Sequence, residues 1–155
     1  MQNRAVQTPS ADVLDAWAAL LVAHRRITTA LDVELRQSDD MSLDDYDVLI
    51  QVRLAGHPVS MSELAATVLI SRPTATRIVD RLVARGWLAR WHDEADRRVV
   101  RLELTSEGRA AQRRAAQLHL DGIARLVGEP LRHHDAAAVA AALGALVAAT
   151  GPTEE

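Results

Sequence analysis

Apolar residues recur at helical spacing through most of this chain, and only one short stretch departs from it. From Ser10 to about Arg36, the residues Val13, Leu14, Trp17, Leu20, Leu21, Ala23, Ile27 and Leu31 return at three- and four-residue steps. That spacing predicts one long helix, with Thr8 or Ser10 as its cap. Its stripe is wider than a single partner usually requires. Gln37 to Met41 reads as a polar break. Ser42 opens a second helix carrying Tyr46, Leu49, Val52 and Leu54, with Asp44 and Asp45 placed to favour its dipole. Gly56 and Pro58 end it. Ser60 to Glu63 has the spacing of a capping box, and Met61, Leu64, Ala65 and Val68 continue a short third helix to about Leu69. Ser71 caps a fourth helix. Pro73 is tolerated in its first turn, where backbone N–H groups have no intrahelical partner. Ala75, Ile78, Val79, Leu82 and Val83 form its apolar stripe, and Gly86 stops it.

The period changes over residues 87–104. WLARWH, the polar DEADR and RVVRLEL read as two strands joined by a turn, with Val100, Leu102 and Leu104 on one face. Thr105 then caps a fifth helix reaching about Val127, which Gly128 and Pro130 break. A sixth, from about Asp135 to Ala149, presents Val139, Leu143, Leu146 and Val147. The expected fold is mainly α, an α+β winged helix: six helices and a two-stranded β-wing. Residues 42–104 form its compact lobe, and the terminal helices are left with surplus apolar surface.

Composition narrows the class. At 48% apolar and 25% charged, the 155 residues can build a packed core. Aromatic residues make up only 3%, so that core is aliphatic and alanine-rich, which favours helices. The absence of cysteine excludes disulfides, thiolate zinc sites and cysteine nucleophiles, and it fits the reducing cytoplasm. MQNRAVQTPS has no apolar signal core, and the run Ala136 to Ala149 is too short for a membrane span. The expected location is therefore cytoplasmic, with no membrane partner.

Charge changes the picture more. The net charge is -3, and all 18 basic residues are arginine. Between Ser71 and Arg101 stand eight arginines (Arg72, Arg77, Arg81, Arg85, Arg90, Arg97, Arg98, Arg101) against Asp80, Asp93, Glu94 and Asp96. Eight minus four leaves that segment at +4, so the remainder carries -7. A basic patch on an acidic body suits docking to a polyanion.

The third and fourth helices, joined at VLIS, make a helix-turn-helix pattern. Outside the core stripe of the second helix, Ser71, Arg72, Pro73, Thr74, Thr76 and Arg77 crowd the N-terminal end, which is the end that enters a major groove. Arginine forks onto guanine, and threonine offers a hydroxyl and a methyl to thymine. Arg81 and Arg85 lie further along, where they suit phosphates. The competing reading is a solvated arginine face paired with Asp80 and nearby acids. On the hairpin turn, Arg97 and Arg98 can enter a narrow minor groove, and Asp96 is close enough to pair with an arginine and brace the loop. Alone, that turn also reads as an ordinary charged hairpin tip.

SMSELAATVLISRPTATRIVDRLVARGWLAR followed by DEADRRVVRLELTSEGR resembles the MarR family of winged-helix transcriptional regulators. The resemblance rests on an Asp-x-Arg wing tip, Asp96 to Arg98, and an LTxxG element, Leu104 to Gly108. In helix order it extends from about residue 10 to residue 149. It implies that Arg98 is the minor-groove residue, that Asp96 holds the wing, and that residues 71–77 supply major-groove contacts. It also implies a homodimer built from the helical regions 10–36 and 105–149, a double-stranded DNA operator, and repression as the usual outcome. Family members often bind small aromatic or phenolic effectors, for which Trp17, His24, Tyr46, Arg53, His57 and His119 are the candidates here. Each has a plainer role: Trp17 in a dimer core, the histidines as surface or capping groups.

Other chemistries find little footing. The histidines form no HxxxH or HExxH spacing, and no metal or cofactor is expected. There is no glycine-rich phosphate loop, GxSxG or triad-like cluster, so an enzyme is not expected. Asp39-Asp40 and Asp44-Asp45 read as capping acids at helix starts. The alternative of another class is a helical dimer that uses its winged helix to bind a protein.

Overall fold

A computed structural model describes residues 8–68 and 71–150, with Arg72 described by its backbone alone. The elements run α1 (Ala11–Asp39), α2 (Leu43–Ala55), β1 (Val59–Ser60), α3 (Met61–Thr67), α4 (Arg72–Ala84), β2 (Leu88–His92), β3 (Val100–Leu104) and α5 (Ser106–Ile123). A π-helical turn (Ala124–Gly128), a short α6 (Glu129–Leu131) and α7 (Ala136–Thr150) follow. Contacts gather the chain into one unit up to Leu118 and a second from His119.

Most helix starts are set by one hydroxyl or carboxylate. Ser10 accepts from the Val13 N–H, Ser71 from Thr74, Thr105 from Gly108, and Asp135 from Ala137 and Ala138. Ser60 and Glu63 form the expected capping box. Ser42 and Asp45 form a second one, so Asp45 serves α2 through a direct bond as well as through its dipole.

Three boundaries differ from expectation. Helix α1 continues through Gln37 and Ser38, because polar residues alone do not stop a helix. It ends at Asp40, which takes a left-handed conformation (φ 50°) and donates its N–H to Arg36 O. Asp39 and Asp40 thus close a helix and do not cap a start. Helix α3 ends at Thr67 with Val68 as its cap, and the remaining turn residues Leu69 and Ile70 lie outside the described residues. At the other end of the chain, Gly128 and Pro130 do not break the helix. Pro130 has no N–H to give Leu126 O, and Glu129 N–H reaches five residues back to Ala124 O in a wider π-turn. Helical backbone persists to Arg132.

The sheet has three antiparallel strands in the order β1-β3-β2, one more than expected. Leu88 pairs with Leu104 and His92 with Val100, while the two-residue β1 sets Val59 against Leu102. Leu102 and Leu104 face inward, as the alternation predicts. They meet Leu49, Val52, Leu64, Ile78, Val79 and Leu82 in a single aliphatic cluster. Each such side chain contributes about 1.5–3 kcal/mol when fully buried. Only the C-terminal part of α1, at Leu31 and Leu35, joins the core. Trp17 is 57% exposed, and α7 buries no residue.

Candidate nucleic-acid interface

Helix α4 is amphipathic in the way its sequence demands. Ala75, Ile78, Val79 and Leu82 are buried, which turns Pro73, Thr76 and Arg77 outward. The Ser71 and Thr74 hydroxyls lie 2.8 Å apart, and the Ser71 hydroxyl also accepts the Thr74 N–H. Those two residues therefore build the cap as well as facing solvent. Arg77 is exposed and forms no ion pair with a described residue. The side chain of Arg72 lies outside the described residues.

The wing tip is a built turn. Asp93 Oδ1 accepts the N–H groups of Ala95 (2.9 Å) and Asp96 (3.2 Å), and Asp96 Oδ1 accepts that of Arg98 (3.0 Å). His92 Nδ1 donates to Arg97 O at 2.8 Å. Asp96 therefore braces the loop through the backbone and not through a guanidinium. The guanidinium bond belongs to Asp93, which takes Arg101 Nε at 2.8 Å. Arg101 also reaches Glu63 of the α3 capping box at 3.5 Å, tying the wing to α3. The bond from Arg101, then those from Ala95 and Asp96, hold the Asp93 carboxyl below its usual range. Glu63 is lowered too, chiefly by the Ser60 N–H. With Asp93 and Asp96 engaged in this way, the wing exposes Arg97 and Arg98 with no ion pair among the described residues.

Helix and wing share one surface. A groove of about 290 Å³ is lined by Ser60, Met61, Ser62, Ala65, Thr76, Arg98, Val99 and Val100. It places the outer face of α4 beside the wing arginine.

The two arginines expected to grip phosphates, Arg81 and Arg85, have partners within the chain. Arg81 directs Nε (3.1 Å) and Nη2 to Asp45 Oδ1, and Arg85 donates to the carbonyls of Asp39 and Asp40 at 2.7 Å. Their charge is answered inside the fold. Asp80, expected among the partners of the α4 arginines, pairs with Arg90 of β2.

The expected effector residues stand in different local settings. Trp17 and His24 are exposed on α1, and Tyr46 is buried, which pushes its phenol up. Arg53 donates to Gln112 Oε1 at 3.0 Å, and His57 donates to Pro58 O. The groove holding His57 is otherwise lined by Gln51, Ala55, Val59, Glu63, Leu64 and Thr67. His119 belongs to the second unit. Among the described residues no cluster of three or more His, Asp or Glu could hold a metal ion, and no helix is long and apolar enough to cross a membrane.

Sequence reasoning missed Asp93, Arg101 and Gln112. An aspartate followed two residues later by a turn N–H was a usable signal for Asp93. Nothing local marked Gln112, whose Arg53 partner lies 59 residues away.

Residues 39–99 match the MarR family model. The HTH-type transcriptional regulator PecS of Dickeya dadantii is 36% identical over 83 residues, covering 52% of this chain and 50% of PecS. The chain thus spans about half the length of that relative. In fold it is similar to Sco3205 of Streptomyces coelicolor, a MarR family regulator solved with DNA, at a TM-score of 0.87. That likeness has 24% identity and covers 97% of this chain and 95% of the other. BpsR of Bordetella bronchiseptica, whose DNA binding is regulated by 6-hydroxynicotinic acid, is also similar. It has a TM-score of 0.77 and 23% identity, covering 94% of this chain and 100% of that one. PecS and Sco3205 are transcriptional regulators. The match to the MarR family model thus falls on the helix-turn-helix and wing, and the fold of this chain is that of MarR-family winged-helix proteins.

Proposed function

We propose that this chain is a sequence-specific, double-stranded DNA-binding transcriptional repressor. In this reading it acts in the cytoplasm as a homodimer on a palindromic operator and is released by a small aromatic or phenolic effector. The observation that carries the reading is the shared groove, where Thr76 of α4 and Arg98 of the wing line one surface. Arg77 and Arg97 are also exposed and lack acidic partners among the described residues. A helix fits the major groove, and an arginine on a turn fits the narrow minor groove beside it. Likeness to a regulator solved with DNA supports the partner class. Likeness to BpsR supports an organic effector. The uncovered apolar surface of α1 and α7 supports a second copy.

Selecting bound sequences from random duplex DNA tests the reading directly. A palindrome is expected. With about four phosphates neutralised per subunit, log affinity falls against log salt with a slope of roughly -7. A slope near zero, with no competition by duplex DNA, sinks DNA binding and favours a protein partner. Titrating aromatic acids while following tryptophan fluorescence and operator release tests the effector. Silence in both removes it.

A further inference from the structure

Arg85 stands at the C-terminal end of α4 yet hydrogen-bonds to the end of another helix. Its Nη1 donates to Asp40 O and its Nη2 to Asp39 O, both at 2.7 Å, and its guanidinium lies 3.9 Å from the centre of the Trp87 ring. Those carbonyls close the 29-residue α1, where acceptors lack intrahelical partners and the helix dipole is negative. Arg85 therefore caps α1 from α4. The same corner is gripped from two other sides. Asp39 takes Arg114 of α5 at 2.9 Å, and Asp32 accepts the Leu43 N–H that starts α2 at 2.8 Å. One turn earlier on α4, Arg81 holds Asp45, whose side chain is 3% exposed and whose second oxygen serves Ser42.

We infer that Arg85 is a positioning residue for operator binding, setting the placement of α4 on the α1–α2 corner instead of holding a phosphate. To reach DNA it would have to leave two charge-assisted bonds and a ring contact, stranding two carbonyls. Because α1 is a helix proposed to join two copies, a joint between α1 and α4 governs the spacing at which paired recognition helices meet the operator. The inference rests on the DNA-binding reading above.

The test uses the full chain and its selected operator, with the half-site spacer lengthened or shortened by one base pair. Binding is measured from about 50 to about 200 mM salt. Arg85→Ala is expected to weaken binding to the best operator roughly ten-fold while keeping the wild-type salt slope. It is also expected to bind the altered spacers nearly as well as the best one. Arg85→Gln removes the charge and keeps an amide donor, so it makes the same distinction if the alanine variant does not fold. It should keep the wild-type slope and part of the spacer preference. A slope shallower by about two for the dimer, with spacer preference intact, overturns the inference in favour of a phosphate contact. Unchanged affinity and spacer preference with a lower Tm overturns it in favour of a simple fold brace. Wild-type protein that selects no duplex brings down the DNA-binding reading and this inference together, before any variant is compared.

Discussion

What a guanidinium can bind depends on what already satisfies it. Along α4, Arg77 is exposed without an ion pair to a described residue, whereas Arg81 and Arg85 are held by Asp45 and by the end of α1. Among the described arginine side chains of this helix, Arg77 is thus the one most available to a base edge. Arg77→Ala should reduce discrimination between the selected operator and a scrambled duplex by about 1–3 kcal/mol, or roughly 5- to 150-fold. The melting temperature should barely move, since an exposed substitution away from caps and core usually changes stability by about 0.5 kcal/mol or less. Competition by fluorescence anisotropy reads the difference, and equal weakening on both duplexes would count against base contact. The sequence showed a row of arginines but not their division of labour. The partners of Arg81 and Arg85 lie 36 and 45 or 46 residues away, beyond the reach of helical spacing. Thr76 and Arg77 were legible because exposure follows directly from the buried stripe Ala75, Ile78, Val79 and Leu82.

Elements meet at a few crowded points, and the LTxxG segment is one of them. Thr105 Oγ1 donates to Gly86 O at 2.6 Å and accepts from Gly108 N at 2.9 Å. A Cβ on residue 108 would stand 1.9 Å from Trp87 O, a backbone atom that cannot rotate away. Gly108→Ala should therefore cost about 1–3 kcal/mol by overpacking, lowering Tm by roughly 3–10 °C in a thermal melt. A wild-type melt would mean that α5 can shift without loss. The wing base carries a pH dependence of its own. The folded Asp93 and Glu63 carboxyls lie below their unfolded values of about 3.9 and 4.3, so the stability they add is complete above those values. It is lost as pH falls through the lower folded values. Tm should show an acid limb below about pH 4, and Arg101→Leu should shrink that limb, since Arg101 is the first cause of the Asp93 shift. Identical limbs in both proteins would remove Arg101 from this role. Caps such as Ser60–Glu63 and Ser71 could be read from sequence because four consecutive residues contain the whole interaction. Strand β1 could not, because two residues have no period, and its pairing with β3 is decided some forty positions away. The π-turn escaped for a related reason: Gly128 and Pro130 signal a fault in the hydrogen-bond ladder without saying how the helix absorbs it.

At the scale of the molecule, charge and apolar surface are segregated along the chain. The segment from Ser71 to Arg101 carries +4 and the rest -7, so an approaching duplex is drawn to one lobe and repelled by the remainder. The uncovered apolar residues lie elsewhere, at Trp17 and its neighbours on α1 and along α7, where Val147 is 70% exposed. A 15-residue helix with no buried residue is marginal in isolation, so α7 needs a partner surface to be worth forming. A second copy would supply it, and two-fold pairing would double the cationic lobes presented to a palindrome. Leu143→Glu combined with Leu146→Glu places two charges in that surface without touching the aliphatic core of residues 35–115. Sedimentation should find the wild type dimeric, as proposed, and this variant monomeric at the same concentration, with far-UV circular dichroism retaining most of its helix signal. Its salt slope on operator DNA should fall from roughly -7 to roughly -3.5, because only one lobe then releases counterions. A variant that stays dimeric would move the interface away from α7, and a monomer that keeps the full slope would break the link between dimerisation and DNA contact.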